Sequence, residues 1–248
     1  MNTSLLAIGV TATGSGAAVG LCALWMLAPE TARRRVLSGL LAYSAGTLLA
    51  GALLVLLPES AALSTPLVAA RTTLAGILLF FLLEKLVLWR HGHRETERAM
   101  PAPRGPLILV GDGLHNFVDG AVIAAAFLSS VPLGMATAVA VFSHEIPQEV
   151  GDFAILLDAG YSRSRALRAN AVSACAAVAG AAAGLLLLEK LSGLLPHVMA
   201  LSAGGFLYIA VADLIPVLRL QPSRRGALQT ALILAGVATI AALEAIAP

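Results

Sequence analysis

Apolar residues run along this chain in long stretches, separated by short polar segments marked by Pro, Gly, Ser or Arg. Each stretch has the length of about 20 residues that lets a helix cross a hydrocarbon core. The stretches fall at about residues 4–28, 36–57, 66–89, 106–129, 133–157, 166–189, 196–219 and 226–247. Two of them differ from the rest. The fourth contains Gly111-Asp112-Gly113-Leu114-His115-Asn116-Phe117-Val118-Asp119-Gly120, and the fifth contains Ser143-His144-Glu145-Ile146-Pro147-Gln148-Glu149-Val150-Gly151-Asp152. Lipid offers no partner to a backbone amide, so spanning segments satisfy their own hydrogen bonds. The pattern therefore predicts an all-α polytopic membrane protein with eight transmembrane helices in one domain, residues 1–248.

Composition agrees with that reading. The chain is 58% hydrophobic and only 12% charged, too few charges to coat a soluble globule of this length. The basic residues sit in alternate connections: Arg33, Arg34 and Arg35; Arg90, Arg94, Arg98 and Arg104; Arg163, Arg165 and Arg168; Arg219, Arg224 and Arg225. Arg71 and Lys190 are the exceptions. Positive charge stays on the cytoplasmic side, which puts both termini on the extracytoplasmic side. Compact connections and the lack of a long targeting segment favour a bacterial inner membrane. Met1-Asn2-Thr3-Ser4 carries no Lys or Arg, so the first span is expected to be retained and not cleaved. Cys22 and Cys175 are expected to be small buried hydrophobes, not a disulfide or a metal pair. Lipid is the expected environment; no nucleic acid is an expected partner.

Short connections at Pro58 to Pro66, Ser129 to Pro132 and Ser192 to Pro196 make the helices they join antiparallel neighbours. The longest connection, about 90–105, is polar and expected to be cytoplasmic. Its His91 and His93 fit either a transient metal contact or a solvated linker. The stretch Ser44–Pro58 in the second span matches Ser202–Pro216 in the seventh: Ser, Ala, Gly, Leu, Ala, Leu and Pro fall at the same seven positions. By the topology above these spans run in opposite directions. His115-Asn116-x-x-Asp119 in span four similarly answers His144-Glu145-x-x-Gln148 in span five. The order is then three helices, a central pair, and three helices inverted, with a polar site at the interface, as in many transporters.

Residues four apart share a helix face. His115 and Asp119 therefore project together, with Asp112 close to that face and Asn116 at its border. His144, Gln148 and Asp152 form one stripe of the fifth helix; Glu145 and Glu149 form the next. A charge at bilayer depth costs from about 3 to over 10 kcal/mol depending on the method. A bound cation is the simplest compensation. Imidazole nitrogen combined with carboxylate oxygen suits zinc and its first-row neighbours, whereas Mg and Ca use oxygen alone. Pro147 withholds a helical amide donor, and the carbonyl it frees near Ser143 is expected to face the ion or water. Gly113, Gly120 and Gly151 remove side-chain bulk, so helices approach closely or water enters.

Other uses of these residues remain open. His144-Glu145-x-x-Gln148 superficially resembles the His-Glu-x-x-His helix of zinc proteases, but Gln148 stands where the second histidine would be. A proton or organic-ion carrier would use the same acids as a relay. A purely structural network would pair them with one another.

At these residues the sequence resembles the ZIP (Zrt-, Irt-like protein) family of divalent-metal transporters. The nearest branch is the one reading His-Asn-Phe-x-Asp-Gly and His-Glu-x-Pro-His-Glu-x-Gly-Asp. His115 to Gly120 fits the first motif, and His144 to Asp152 fits the second except at Gln148. Eight spans, external termini and a basic cytoplasmic loop after span three also match. The resemblance implies a metal site carried by His115, Asn116, Asp119, His144, Glu145 and Gln148. Asp112, Glu149, Asp152 and Asp213 are secondary or pathway candidates. It implies no enzyme activity and no prosthetic group. The substrate would be Zn2+, with Fe2+, Mn2+ and Cd2+ as alternatives, carried into the cytoplasm, and a homodimer is one assembly consistent with the family. Three departures stand out: Gln148 for His, Gly51 and Val55 where that branch carries Asp and His in span two, and no long His-rich outer domain.

Overall fold

The structure is a computed structural model that describes residues 3–92, 104–220 and 226–245; among these, all regular structure is helical. Eight rods account for it. They are α1 (Thr3–Trp25), α2 (30–63), α3 (Pro66–Gly92), α4 (Arg104–Ser129), α5 (Val131–Asp158), α6 (Arg163–Leu188), α7 (192–219) and α8 (Gly226–Glu244). Seven contain a stretch long and apolar enough to cross a membrane. The rod outside that set is α5, which carries Glu145, Glu149 and Asp152. Its position explains how it tolerates them: α5 packs against α1, α2, α4, α6 and α8, so other helices wrap it. Glu145 and Glu149 are therefore buried by protein, while Asp152 is partly exposed.

Local sequence sets the turns on either side of α5. Ser130 is the N-cap, its hydroxyl accepting from Leu133 N at 3.3 Å, with Pro132 in the first turn where a missing amide costs nothing. A single residue thus links α4 to α5. At the other end the chain reverses through Gly160 at φ 86, and Tyr161 N returns to Leu156 O at 3.0 Å. Ser162 then caps α6 by accepting from Arg165 N. The two turns hold α4, α5 and α6 antiparallel.

The repeat appears in the backbone as well as in the sequence. In α2 the α-helix Glu30–Ala50 opens into a π segment, Gly51–Leu56, before tightening again at Leu57–Leu63. In α7 the helix Leu195–Tyr208 opens into Ile209–Leu214 before Ile215–Arg219. Each π segment begins seven residues after the repeat's serine and ends two before its proline. Leu57 N donates to Ala52 O, and Ile215 N donates to Ala210 O, one residue further back than in an α-helix. Pro58 and Pro216 lack the amide that would continue the tighter ladder, and a wide turn accommodates the missing bond. The rod therefore continues through Pro58 to Leu63, and the connection expected from Pro58 to Pro66 is shorter than the sequence indicated.

Helix pairing follows the same symmetry. α2 packs on α8, and α3 on α7. A Cβ on Gly46 would drive into the carbonyl of Ile233 in α8, and one on Gly236 into that of Tyr43. In the inverted copy, Gly204 meets the carbonyl of Thr73 and Gly76 that of Leu201. Small residues facing each other let backbones touch without a side chain between them. Leu48, Val55, Ile123, Phe127, Val141 and Met199 fill the core beside the central helices.

Cys22 is buried, but Cys175 is exposed on α6, because hydropathy does not separate a lipid-facing position from an inward one. The expectation for His91 and His93 lies outside the described residues.

Candidate metal centre

The central pair brings together three ligand atoms. His115 and Asp119 project from one face of α4, and His144 projects from α5 toward them. His115 Nε2 lies 3.1 Å from His144 Nε2, Asp119 Oδ2 is 3.3 Å from the first nitrogen and 3.2 Å from the second. Tetrahedral zinc with bonds of about 2.0–2.1 Å separates its ligand atoms by about 3.3 Å. The triangle thus has edges close to those of one face of such a tetrahedron. Asp119 Oδ2 is buried and makes no hydrogen bond, although both nitrogens are within ion-pair distance. The three atoms lie close enough to converge on a common point, and the two imidazole nitrogens are also within hydrogen-bond distance of each other.

Surrounding groups fix the rings. His144 Nδ1 sits 3.3 Å from Ala140 O, so the ring donates there and leaves Nε2 as the lone-pair nitrogen. Phe206 from α7 meets the His144 ring edge-on, and Phe80 from α3 does the same to His115. Gly51 of the α2 π segment permits this packing: a Cβ there would lie 3.0 Å from Ala140 Cβ, one turn before His144.

A second group of acids adjoins the first through Asp112. Asn116 Nδ2 donates to Asp112 Oδ1 at 3.0 Å, and Gln148 Nε2 donates to the same oxygen at 3.2 Å. Both amides therefore point their nitrogens at Asp112. Glu145 is 3% exposed, with Oε1 making no hydrogen bond. Glu149 Oε2 and Asp112 Oδ2 are likewise buried without a partner. Asp152 lies against Asp112. Asp213 is exposed in the α7 π segment and does not join the three ligand atoms.

The carbonyl freed by Pro147 departs from expectation. Ser143 O accepts a hydrogen bond from the Ser44 hydroxyl of α2, a protein partner in addition to the ion or water expected there. A neighbouring helix carried a donor that pattern reading of α5 alone did not supply. Asn170 on α6 was also missed: its Nδ2 donates to Glu149 O at 3.0 Å, and Cys22 Sγ approaches the same carbonyl at 3.6 Å. A polar residue within the long apolar run of span six was the available signal.

Against known proteins, a sequence model of the family described as "ZIP Zinc transporter" matches residues 90–244, which include both central helices. The chain belongs to the ZIP family. Human "Zinc transporter ZIP6" is 42% identical over 127 residues, covering 51% of this chain and 17% of that protein. Mouse "Metal cation symporter ZIP14" is 47% identical over 110 residues, covering 44% and 22%. Mouse "Zinc transporter ZIP4" is 46% identical over 112 residues, covering 45% and 17%. The matched region spans about a fifth of the length of these curated relatives. In this ZIP member the matched region contains every ligand atom of the α4–α5 triangle.

Proposed function

We propose that this chain carries divalent metal ions, zinc foremost, across the membrane through a site between α4 and α5. The carrying observation is the triangle of His115, Asp119 and His144, whose edges match a face of tetrahedral zinc coordination. Mixed nitrogen and oxygen ligands without thiolate hold zinc while permitting exchange. Membership of the ZIP family supports the same reading. On this reading His115, Asp119 and His144 hold the ion, with water at the fourth corner.

The second group gives the ion its next position. Glu145, Glu149 and Asp112 present buried carboxylate oxygens without hydrogen bonds, which a passing cation would stabilise. Asn116 and Gln148 hold Asp112 in place with neutral amides. Arg-rich connections mark the cytoplasmic side, with both termini outside, and the family resemblance implies passage inward. Asp213 serves as an exit-route acid at most.

The test is uptake of zinc by purified protein in proteoliposomes, with iron, manganese and cadmium as competitors. His115→Ala, Asp119→Ala and His144→Ala should each abolish uptake in protein that remains folded. Normal uptake by all three would overturn the site. Uptake driven by a proton gradient without any metal would favour the relay reading instead.

A further inference from the structure

We infer that Ser44 is a positioning residue for the metal-holding His144, acting through the carbonyl that Pro147 leaves without its helical donor. The inference rests on the proposed metal site. Pro147 sits four residues after Ser143 and has no N–H to give to Ser143 O. Ser143 immediately precedes His144, so the direction of its carbonyl and the path of the backbone into the ligand are one geometric problem. Ser44, fully buried on α2, donates from its hydroxyl to that carbonyl. The same hydroxyl lies 2.7 Å from Leu40 O on its own helix, so its single hydrogen is shared between the two acceptors. A buried carbonyl without a donor would otherwise stay unsatisfied, which is unfavourable.

The inverted repeat supplies an internal comparison. Ser202 is the counterpart of Ser44, also buried, on α7. Its hydroxyl donates to Val198 O at 2.8 Å, the bond within its own helix that matches Ser44 to Leu40. The position on α4 that corresponds to Pro147 is Val118, which keeps its amide. The serine on the proline side reaches across to the opposing helix, where a proline has vacated a carbonyl. Ser44 therefore ties α2 to α5 at the residue next to a ligand, and any movement of α5 against α2 during transport must break or carry that bond.

The test is a double-mutant cycle read by zinc affinity, using the full chain in lipid nanodiscs and a chromophoric zinc chelator as competitor. Ser44→Ala should weaken zinc binding about tenfold. In a Pro147→Ala background, position 147 regains an N–H for Ser143 O, and adding Ser44→Ala should then change affinity less than about twofold. Ser44→Thr, which keeps the hydroxyl, should restore binding toward that of the parent chain. The absorption of bound Co(II) should change in Ser44→Ala and return in Ser44→Thr, a signature that loss of global stability alone would not produce. Equal losses from Ser44→Ala in both backgrounds, or no loss in either, would overturn the inference. His144→Ala is measured alongside: unchanged zinc binding there would overturn the metal site and this inference with it. Should Ser44→Ala alone fail to fold, the comparison of Pro147→Ala with Ser44→Ala/Pro147→Ala still decides. A large difference between those two would contradict the proposed role, and near-identity, with folding lost only where Pro147 is kept, would uphold it.

Discussion

Asp119→Ala separates a metal ligand from a structural ion pair, because the two readings give opposite signs for stability without metal. Asp119 is 3% exposed, and its Oδ2 is 3.2–3.3 Å from two imidazole nitrogens while making no hydrogen bond. If the carboxylate exists to hold an ion, the metal-free chain bears the cost of burying it without compensation. Removing it then leaves metal-free stability unchanged, or raises it by about 1–4 kcal/mol, as when buried charges elsewhere give way to apolar groups. If the carboxylate instead forms a structural pair with charged histidines, removing it costs about 3–5 kcal/mol. The gap between the two outcomes is larger than the error of a thermal unfolding comparison. Zinc adds a second sign. At a concentration of about 100 times Kd, binding to the folded chain alone stabilises it by about 2.7 kcal/mol. The parent chain should therefore unfold at higher temperature with zinc, and Asp119→Ala should not respond. Scanning fluorimetry of purified protein after chelator treatment, with and without added zinc, measures both effects. A clear loss of metal-free stability in Asp119→Ala, together with an undiminished zinc response, would refute the ligand assignment.

Three further outcomes follow from the same geometry. Gln148→His should tighten zinc binding about tenfold or more and slow uptake, since an imidazole one turn after His144 offers a ligand for the open corner; equal affinity in a chelator competition would exclude that position from the first coordination sphere. Glu149→Gln should leave zinc affinity at the triangle within about threefold while reducing uptake, because Glu149 stands with the second group of acids and not among the three ligand atoms; retained uptake in proteoliposomes would remove it from the route. Gly46→Ala and Gly204→Ala should each destabilise the bundle by about 1–3 kcal/mol, since each Cβ meets a backbone carbonyl of the facing helix, whereas Gly16→Ala, with open space around it, should not; unfolding midpoints of the three variants test the pairing.

Much of this arrangement could be read from residue order, and the reasons differ from element to element. The long apolar stretches announced the helices because lipid leaves a chain few alternatives. The four-residue spacing of His115 and Asp119 put both on one face, since that spacing belongs to the helix itself. The short turn at Ser130 made the two helices neighbours, but the rotation that turns His144 toward them was not legible from it. Gln148 and Asn116 show where spacing runs out: an amide on the ligand face still chooses among partners, and both donate to Asp112. Ser44 shows a different limit. Pro147 said that a donor was missing, but not which helix would bring it. The repeat was visible as seven matched positions, yet the paired π segments were not, because an alternative ladder leaves no composition signal beyond the proline that ends it.

The near-symmetry of the central pair makes its departures informative. A fully symmetric pair would offer His and an acid from each helix, four ligands closing a tetrahedron around the ion. This chain keeps His115, Asp119 and His144 but replaces the fourth with Gln148, whose nitrogen is turned to Asp112. A zinc ion with one exchangeable position is the arrangement that catalytic sites use to admit a new ligand. On the proposed reading, a position left open by Gln148 is where a passing ion would exchange ligands. Pro147 stands on the same helix as the missing ligand. The helix that has lost its fourth donor is therefore also the one whose backbone needs Ser44 to hold its remaining ligand in place, and the two departures from symmetry act on a single residue, His144.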